Sequence, residues 1–244
     1  MLGKSGREAR RSWGLLKDRL KSILFRGPAP RERRPDGLSG APLPGRSQPS
    51  TAPAMVRSSP GLEQFLQSLR GREGLSILDF GGANQANISF ITGLGHRICS
   101  EDFLRALDAV FGPDPATHSD PRRTQEFFRE NLALTPESFD GALVWDSLQF
   151  LGPGLLEATV TQLHRLLRRD AYVLAFFQAS EKMPEAPACS YRIAGEKSLQ
   201  IVPRGTRRLG QFFNNRAIEK LFHEFQTTKF FLTRDSLREV LVKR

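Results

Sequence analysis

The residues best placed to do chemistry stand in one short run, Asp79-Phe80-Gly81-Gly82-Ala83-Asn84, directly after the apolar stretch Leu75 to Leu78. The pattern predicts a buried parallel strand that feeds a tight turn and then a helix opened by Asn84. Gly81 and Gly82 carry no Cβ, so backbone there can come close to a ligand, and the first amides of the following helix favour an anionic group. Asp79, at the strand end, can accept a hydrogen bond from an ammonium. A ligand with both a carboxylate and an ammonium uses both features together. The same turn also arises in doubly wound domains for geometric reasons alone. Asp79-Phe80-Gly81 spells the kinase metal-binding triplet, but the phosphate-covering glycine loop, strand lysine and His-Arg-Asp loop that accompany it in kinases are missing here.

Three further groups carry reactive side chains. Glu101 and Asp102 follow a short strand, His96 to Ser100, and an acid at that point can take hydrogen bonds from both hydroxyls of a ribose. Either acid can instead cap the next helix, whose apolar stripe is Phe103, Leu107, Val110 and Phe111, so the expectation is one role for each. Phe139 to Val144 is an apolar strand leading to Trp145-Asp146-Ser147, and Asp146 is the single candidate base, with a positioning role as the alternative. Arg204, Arg207 and Arg208 form an arginine-rich loop that faces either an anionic substrate or solvent.

Strands and helices alternate from Pro60 onward. A helix carries Leu62, Phe65, Leu66 and Leu69; the next carries Ile88, Ile91 and Leu94; another, after Leu151, carries Leu156, Val160, Leu163 and Leu167. Gly112 to Pro121 is broken by prolines and Arg122 to Leu132 has helical spacing, so no third strand is found there. Ala171 to Phe177 is continuously apolar, as a strand covered on both faces is. Ser190 to Ile193 and Ser198 to Val202 alternate like a hairpin around Gly195, a helix starts at Asn215, and Gln226 to Leu232 with Leu237 to Val242 predict a terminal antiparallel pair. The alternation implies an α/β fold, a doubly wound and mostly parallel sheet with a C-terminal antiparallel hairpin.

Charge separates the N-terminal segment from the rest. Residues 1 to 60 hold 13 Lys and Arg against 4 Asp and Glu, a net +9 of the chain's +10. In residues 1 to 26, Trp13, Leu16, Leu20, Ile23 and Leu24 fall on one helical stripe flanked by Arg10, Arg11, Lys17 and Lys21. That basic amphipathic helix is suited to an anionic membrane surface or to nucleic-acid phosphates, or simply to packing on its own domain. Residues 27 to 59, rich in Pro, Gly, Ser and Arg, have too little apolar surface to order themselves and are expected to be a disordered linker. The globular domain is placed at residues 60 to 244. Two cysteines and four scattered histidines give no zinc spacing, so no metal is expected. With neither a membrane-length apolar run nor a signal-peptide core, the expected setting is cytoplasmic, peripheral to a membrane if the basic helix binds one.

In this order, the acid-glycine turn after strand one, the acid after strand two, and the Phe-Asp-apolar strand ending at Asp146, with a closing antiparallel pair, make residues 60 to 244 resemble the class I S-adenosylmethionine-dependent methyltransferases. The resemblance implies a Rossmann-like methyltransferase fold and S-adenosylmethionine as cofactor. It implies that Asp79, Gly81, Gly82, Ala83 and Asn84 line the methionine and ribose end, that Glu101 or Asp102 holds the ribose, and that Asp146 and Ser147 lie beside the reactive end. The implied reaction is attack of a substrate O, N or C atom on the sulfonium methyl, driven by alignment and water exclusion. Two positions depart from the family pattern: Ala83 replaces a glycine, and the third strand with its adenine-contacting acid is not found. These departures motivate the alternative, a catalytically inactive methyltransferase-fold interaction module acting through its basic tail. A nicotinamide-dependent oxidoreductase accounts for the first turn but not for the antiparallel ending, and its Gly-x-Gly-x-x-Gly spacing is absent.

Overall fold

The computed structural model describes residues 54 to 179, 183 to 233 and 237 to 244; the expected basic helix of residues 1 to 26 and the linker as far as residue 53 lie outside them. In chain order the elements are β1 Met55–Ser58, α1 Pro60–Leu69, β2 Ser76–Asp79, α2 Gln85–Gly93, β3 Arg97–Ser100, α3 Phe103–Phe111, α4 Pro121–Asn131, β4 Phe139–Trp145, α5 Pro153–Leu166, β5 Leu167–Gln178, β6 Glu185–Gly195, β7 Ser198–Arg208, α6 Asn215–Leu221, β8 Thr227–Leu232 and β9 Leu237–Lys243. Short 3-10 turns at Pro115–Thr117 and Ser147–Phe150 complete the path.

A six-stranded sheet runs in the order β3-β2-β4-β5-β9-β8. Its first four strands are parallel, and β9 and β8 are antiparallel. The doubly wound sheet with its closing antiparallel pair is therefore present. β3 stands at the sheet edge, and the chain from Gly112 to Ser138 crosses as a 3-10 turn and α4 without adding a strand outside it. The strand that the sequence failed to supply has no counterpart among the described residues.

Alternation along the strands divides the core between the two faces of the sheet. On one face Ala142, Val144, Val173, Ala175, Phe177, Val240 and Val242 pack with residues of α3, α4, α5 and α6. On the other, Ile77, Leu143, Trp145, Leu174, Phe176 and Leu241 pack with α1 and α2 and with Tyr191, Ile193, Leu199 and Ile201. Those last four belong to a second, antiparallel sheet in the order β1-β7-β6.

This small sheet corrects two expectations. The linker does not extend to residue 59: Met55–Ser58 pairs antiparallel with β7, and Ser59 is buried and caps α1 by accepting from the Leu62 amide. The hairpin is also longer than expected, Glu185–Gly195 with Ser198–Arg208, so Arg204, Arg207 and Arg208 lie on a strand and not in a loop. Pro203 argued for an interruption, since proline lacks a ladder donor. The chain accommodates it with a register shift between Ala188 and Cys189, which leaves Arg204 outside the paired positions.

Candidate functional site

β2 delivers Asp79 to the carboxyl end of the sheet, where its side chain is fully buried. The turn folds as the glycines require. Gly81 donates its amide to Asp79 Oδ1 at 2.8 Å, Gly82 adopts φ +77°, and Gly82 donates to the Glu101 carbonyl at 3.2 Å. Asn84 caps α2 through the Asn87 amide at 2.9 Å. Asp79, Gly81, Gly82, Ala83 and Asn84 thus form one continuous strand-turn-helix corner.

The interior of that corner is filled by side chains of the protein itself. Trp145, last residue of β4, has φ +51° and directs its indole N–H to Asp79 Oδ1 at 2.6 Å. Asn87 donates its amide to Asp79 Oδ2 at 3.0 Å. Burial raises the Asp79 carboxyl above its ordinary pKa, and the bonds from Asn87, Gly81 and Trp145 offset only part of that shift. A Cβ added at Gly81 would lie 2.9 Å from the indole nitrogen, and one added at Gly82 would lie 3.3 Å from the Asp102 side chain. The space left by the two glycines therefore accommodates Trp145 and Asp102.

The β6–β7 hairpin closes over the same place. Tyr191 stacks on the Trp145 indole with ring centroids 5.2 Å apart and planes 6° from parallel. Asn87 ties the hairpin down from below: its amide donates to the Tyr191 carbonyl at 3.2 Å, and its carbonyl accepts from the Ile193 amide at 2.8 Å. Asp146 accepts the Cys189 amide at 3.0 Å and is hydrogen-bonded to the Tyr191 hydroxyl. Burial drives the Asp146 carboxyl up to about 7 against those two bonds. Ser147 beside it is buried as well.

Of the two acids after β3, one takes the capping role. Asp102 caps α3 by accepting the Arg105 amide at 3.3 Å, and Arg204 lies 3.9 Å from it. Glu101 is half-buried, its backbone amide donating to the Asp79 carbonyl at 2.8 Å, which holds the β3 end against the turn. A depression of about 440 Å³ lies alongside, bounded by Asp102, Arg105, Asp108, Ala188, Arg204 and Arg207. Arg207 spans its wall in a bidentate pair with Asp108 at 2.6 and 2.8 Å. The arginine is thereby committed within the protein, and not all of the run faces solvent. No metal-binding group of His, Cys, Asp or Glu occurs among the described residues.

Sequence reasoning brought Asp79, the glycines, Asn84, Glu101, Asp102, Asp146 and Ser147 to one end of the sheet. It missed Asn87, Trp145 and Tyr191. A tryptophan directly before the strand-four acid was a visible signal, because a ligand-facing position there leaves little room for an indole. The indole lies against the Cβ position of Gly81 and donates to the Asp79 carboxylate, so the protein's own side chain occupies the place that the resemblance gives to the methionine end.

No family model and no curated protein sequence matches the chain. Among solved structures it is similar to a 1,6-didemethyltoxoflavin-N1-methyltransferase of Burkholderia thailandensis seen with S-adenosylhomocysteine, at 14% identity and a TM-score of 0.43, over 76% of each chain. It is similar to an S-adenosylmethionine-dependent methyltransferase of Methanosarcina mazei at 15% identity and a TM-score of 0.44, over 76% of this chain and 97% of that one. A putative type 11 methyltransferase of Sulfolobus solfataricus is similar at 16% identity and a TM-score of 0.43, over 77% and 92%. The strand order and the closing antiparallel pair are those expected from the sequence, a doubly wound and mostly parallel sheet, without the third strand among the described residues.

Proposed function

We propose that this chain is an S-adenosylmethionine-dependent methyltransferase whose cofactor seat is held shut in the state described. The observation that supports this most directly is the bonding of Asp79. A fully buried carboxylate at the end of β2, beside two glycines, is held only by uncharged donors: a backbone amide, a side-chain amide and an indole. A carboxylate removed from water is best stabilised by a full cation, and the ammonium of a methionine moiety is one of the right size. The acceptor is an O, N or C atom of undetermined identity. Asp146 reaches it only after Cys189 and Tyr191 withdraw, since the residue is buried beneath them.

A second reading, a methyltransferase-fold interaction module that binds no cofactor, is favoured by the filling of the seat itself. The two separate on equilibrium binding. Titration calorimetry of the full chain with S-adenosylmethionine and S-adenosylhomocysteine, together with mass spectrometry of nucleoside carried through purification, is expected to show weak binding of both. Absence of heat at millimolar ligand with no copurified nucleoside, for the native chain and for chains with the seat opened, establishes the module.

A further inference from the structure

We infer that Trp145 acts as a self-ligand: its indole N–H takes the cation's place on Asp79, and with Tyr191 stacked over it from the β6–β7 hairpin it keeps the nucleoside seat shut until the hairpin lifts. The inference rests on the methyl-transfer reading and adds to it a means of control.

The backbone at Trp145 supports this first. A bulky residue other than glycine is rarely found at positive φ, and it stays there only where its surroundings over-determine it. Here they do. The φ of +51° turns the indole inward, the Asp79 carboxylate receives its N–H at 2.6 Å, and Tyr191 and Phe176 cover its faces at centroid distances of 5.2 and 5.7 Å. The missing Cβ of Gly81 is needed to admit this indole, with 2.9 Å between the two positions.

The hairpin is bound to the rest of the chain at the same point. Cys189 to Asp146, Ile193 to Asn87, Asn87 to the Tyr191 carbonyl and Trp145 to Asp79 are hydrogen bonds that opening would break. One net hydrogen bond shifts such an equilibrium roughly fivefold, and the burial of Tyr191, Ile193, Leu199 and Ile201 adds to these bonds, so the open state is a small minority. The apparent affinity of a ligand that binds only the open state falls in the same proportion.

The test uses S-adenosylhomocysteine and the full chain. Trp145→Asn removes the indole and keeps a residue that tolerates the left-handed conformation; Tyr191→Phe removes only the hydroxyl bond to Asp146. The expected result is binding about tenfold tighter or better for Trp145→Asn, and a smaller gain for Tyr191→Phe. A direct readout accompanies it: Trp13 and Trp145 are the two tryptophans of the chain, so in a Trp13→Phe background emission reports Trp145 alone. Saturating ligand should shift that emission to the red as the indole leaves its buried stack. If the native chain binds with micromolar affinity, Trp145→Asn gives no gain and the emission does not move, the self-ligand idea is overturned while cofactor binding stands. If no chain binds at millimolar ligand, both fall. Should Trp145→Asn fail to fold, Tyr191→Phe and the emission shift decide.

Discussion

Asp79 and Glu239 are each fully buried, and each is held by three groups at heavy-atom distances between 2.6 and 3.0 Å. Around Glu239 the donors are the Arg57 guanidinium, the Ser59 hydroxyl and the amide of Gly61. The carboxylate therefore caps the N-terminus of α1, where the helix dipole favours an anion, and Arg57 neutralises it. Around Asp79 the donors are neutral, and they come from the turn, from α2 and from the end of β4. Burial raises both carboxyls, but only Glu239 has a cation against it. The first arrangement is a permanent fastening between β9 and the start of the domain. The second has donors for a carboxylate but no counter-charge, as in a site whose cationic ligand is replaced by an indole.

The largest expected effect comes from removing the fastening together with the strand that carries it. A chain starting at residue 54 keeps every contact described here and should melt like the full chain. A chain starting at Pro60 loses β1, Arg57 and Ser59, leaving Glu239 buried with the Gly61 amide as its remaining partner of the three. Breaking a buried ion pair from one side typically costs about 3 to 5 kcal/mol, and the lost pairing to β7 adds to it. Calorimetric melting should show a large drop in Tm for the shorter chain or no cooperative transition. Equal melting of the two would mean that the Glu239 cluster holds nothing together.

Next comes a pair of isosteric changes. Glu239→Gln turns an amide N–H₂ toward Arg57 and breaks the buried ion pair from one side, so about 3 to 5 kcal/mol of stability should be lost in urea unfolding. Asp79→Asn keeps an acceptor for Gly81 and Trp145 and loses one bond, because its new N–H₂ faces that of Asn87. Its expected loss is smaller, about 1 to 3 kcal/mol, since the change also removes a buried charge that has no cation beside it. A loss for Asp79→Asn as large as that for Glu239→Gln would make Asp79 a structural anchor and remove the contrast.

The same contrast separates what the sequence makes legible from what it hides. The Asp79 corner is written locally: an apolar run, an acid, two glycines and a capping Asn lie within ten residues, and each forces one feature of the turn. The parallel strands and the absent third strand follow equally from local runs. The Glu239 fastening joins residues about 180 positions apart through a strand, Met55–Ser58, that is mostly exposed and has no apolar alternation of its own. It becomes a strand only because β7 pairs with it, a non-local cause that periodicity does not register. The indole in the seat is hidden for a related reason. Its direction depends on the sign of one φ angle and on a hairpin that begins 40 residues later, whose prolines Pro187 and Pro203 argue against so long a ladder.

The last prediction concerns pH, and it sharpens the comparison on the seat side. Asp146 has an ordinary value of 3.8 and is raised to about 7 in the folded chain, burial being the first cause and the Cys189 and Tyr191 hydrogen bonds the counterweight. The groups facing it are the Cys189 amide and thiol, the Tyr191 hydroxyl and, at longer range, Arg207. The thiol is pushed up to about 12 and the phenol well above its ordinary value, so neither titrates near neutrality. With the folded value above the unfolded one, the folded chain binds the extra proton between them. The stability this carboxyl contributes is therefore fully present below about pH 4 and is lost as the pH rises through about 7. Asp146→Asn retains an acceptor for Cys189 and removes the titration. The difference in urea midpoint between the native chain and the variant should thus drift steadily against the native chain from acid to neutral pH, then level off. A difference that stays constant across that range would mean that Asp146 is already ionised in the closed state. The strain on the shut seat would then reside at Asp79 alone.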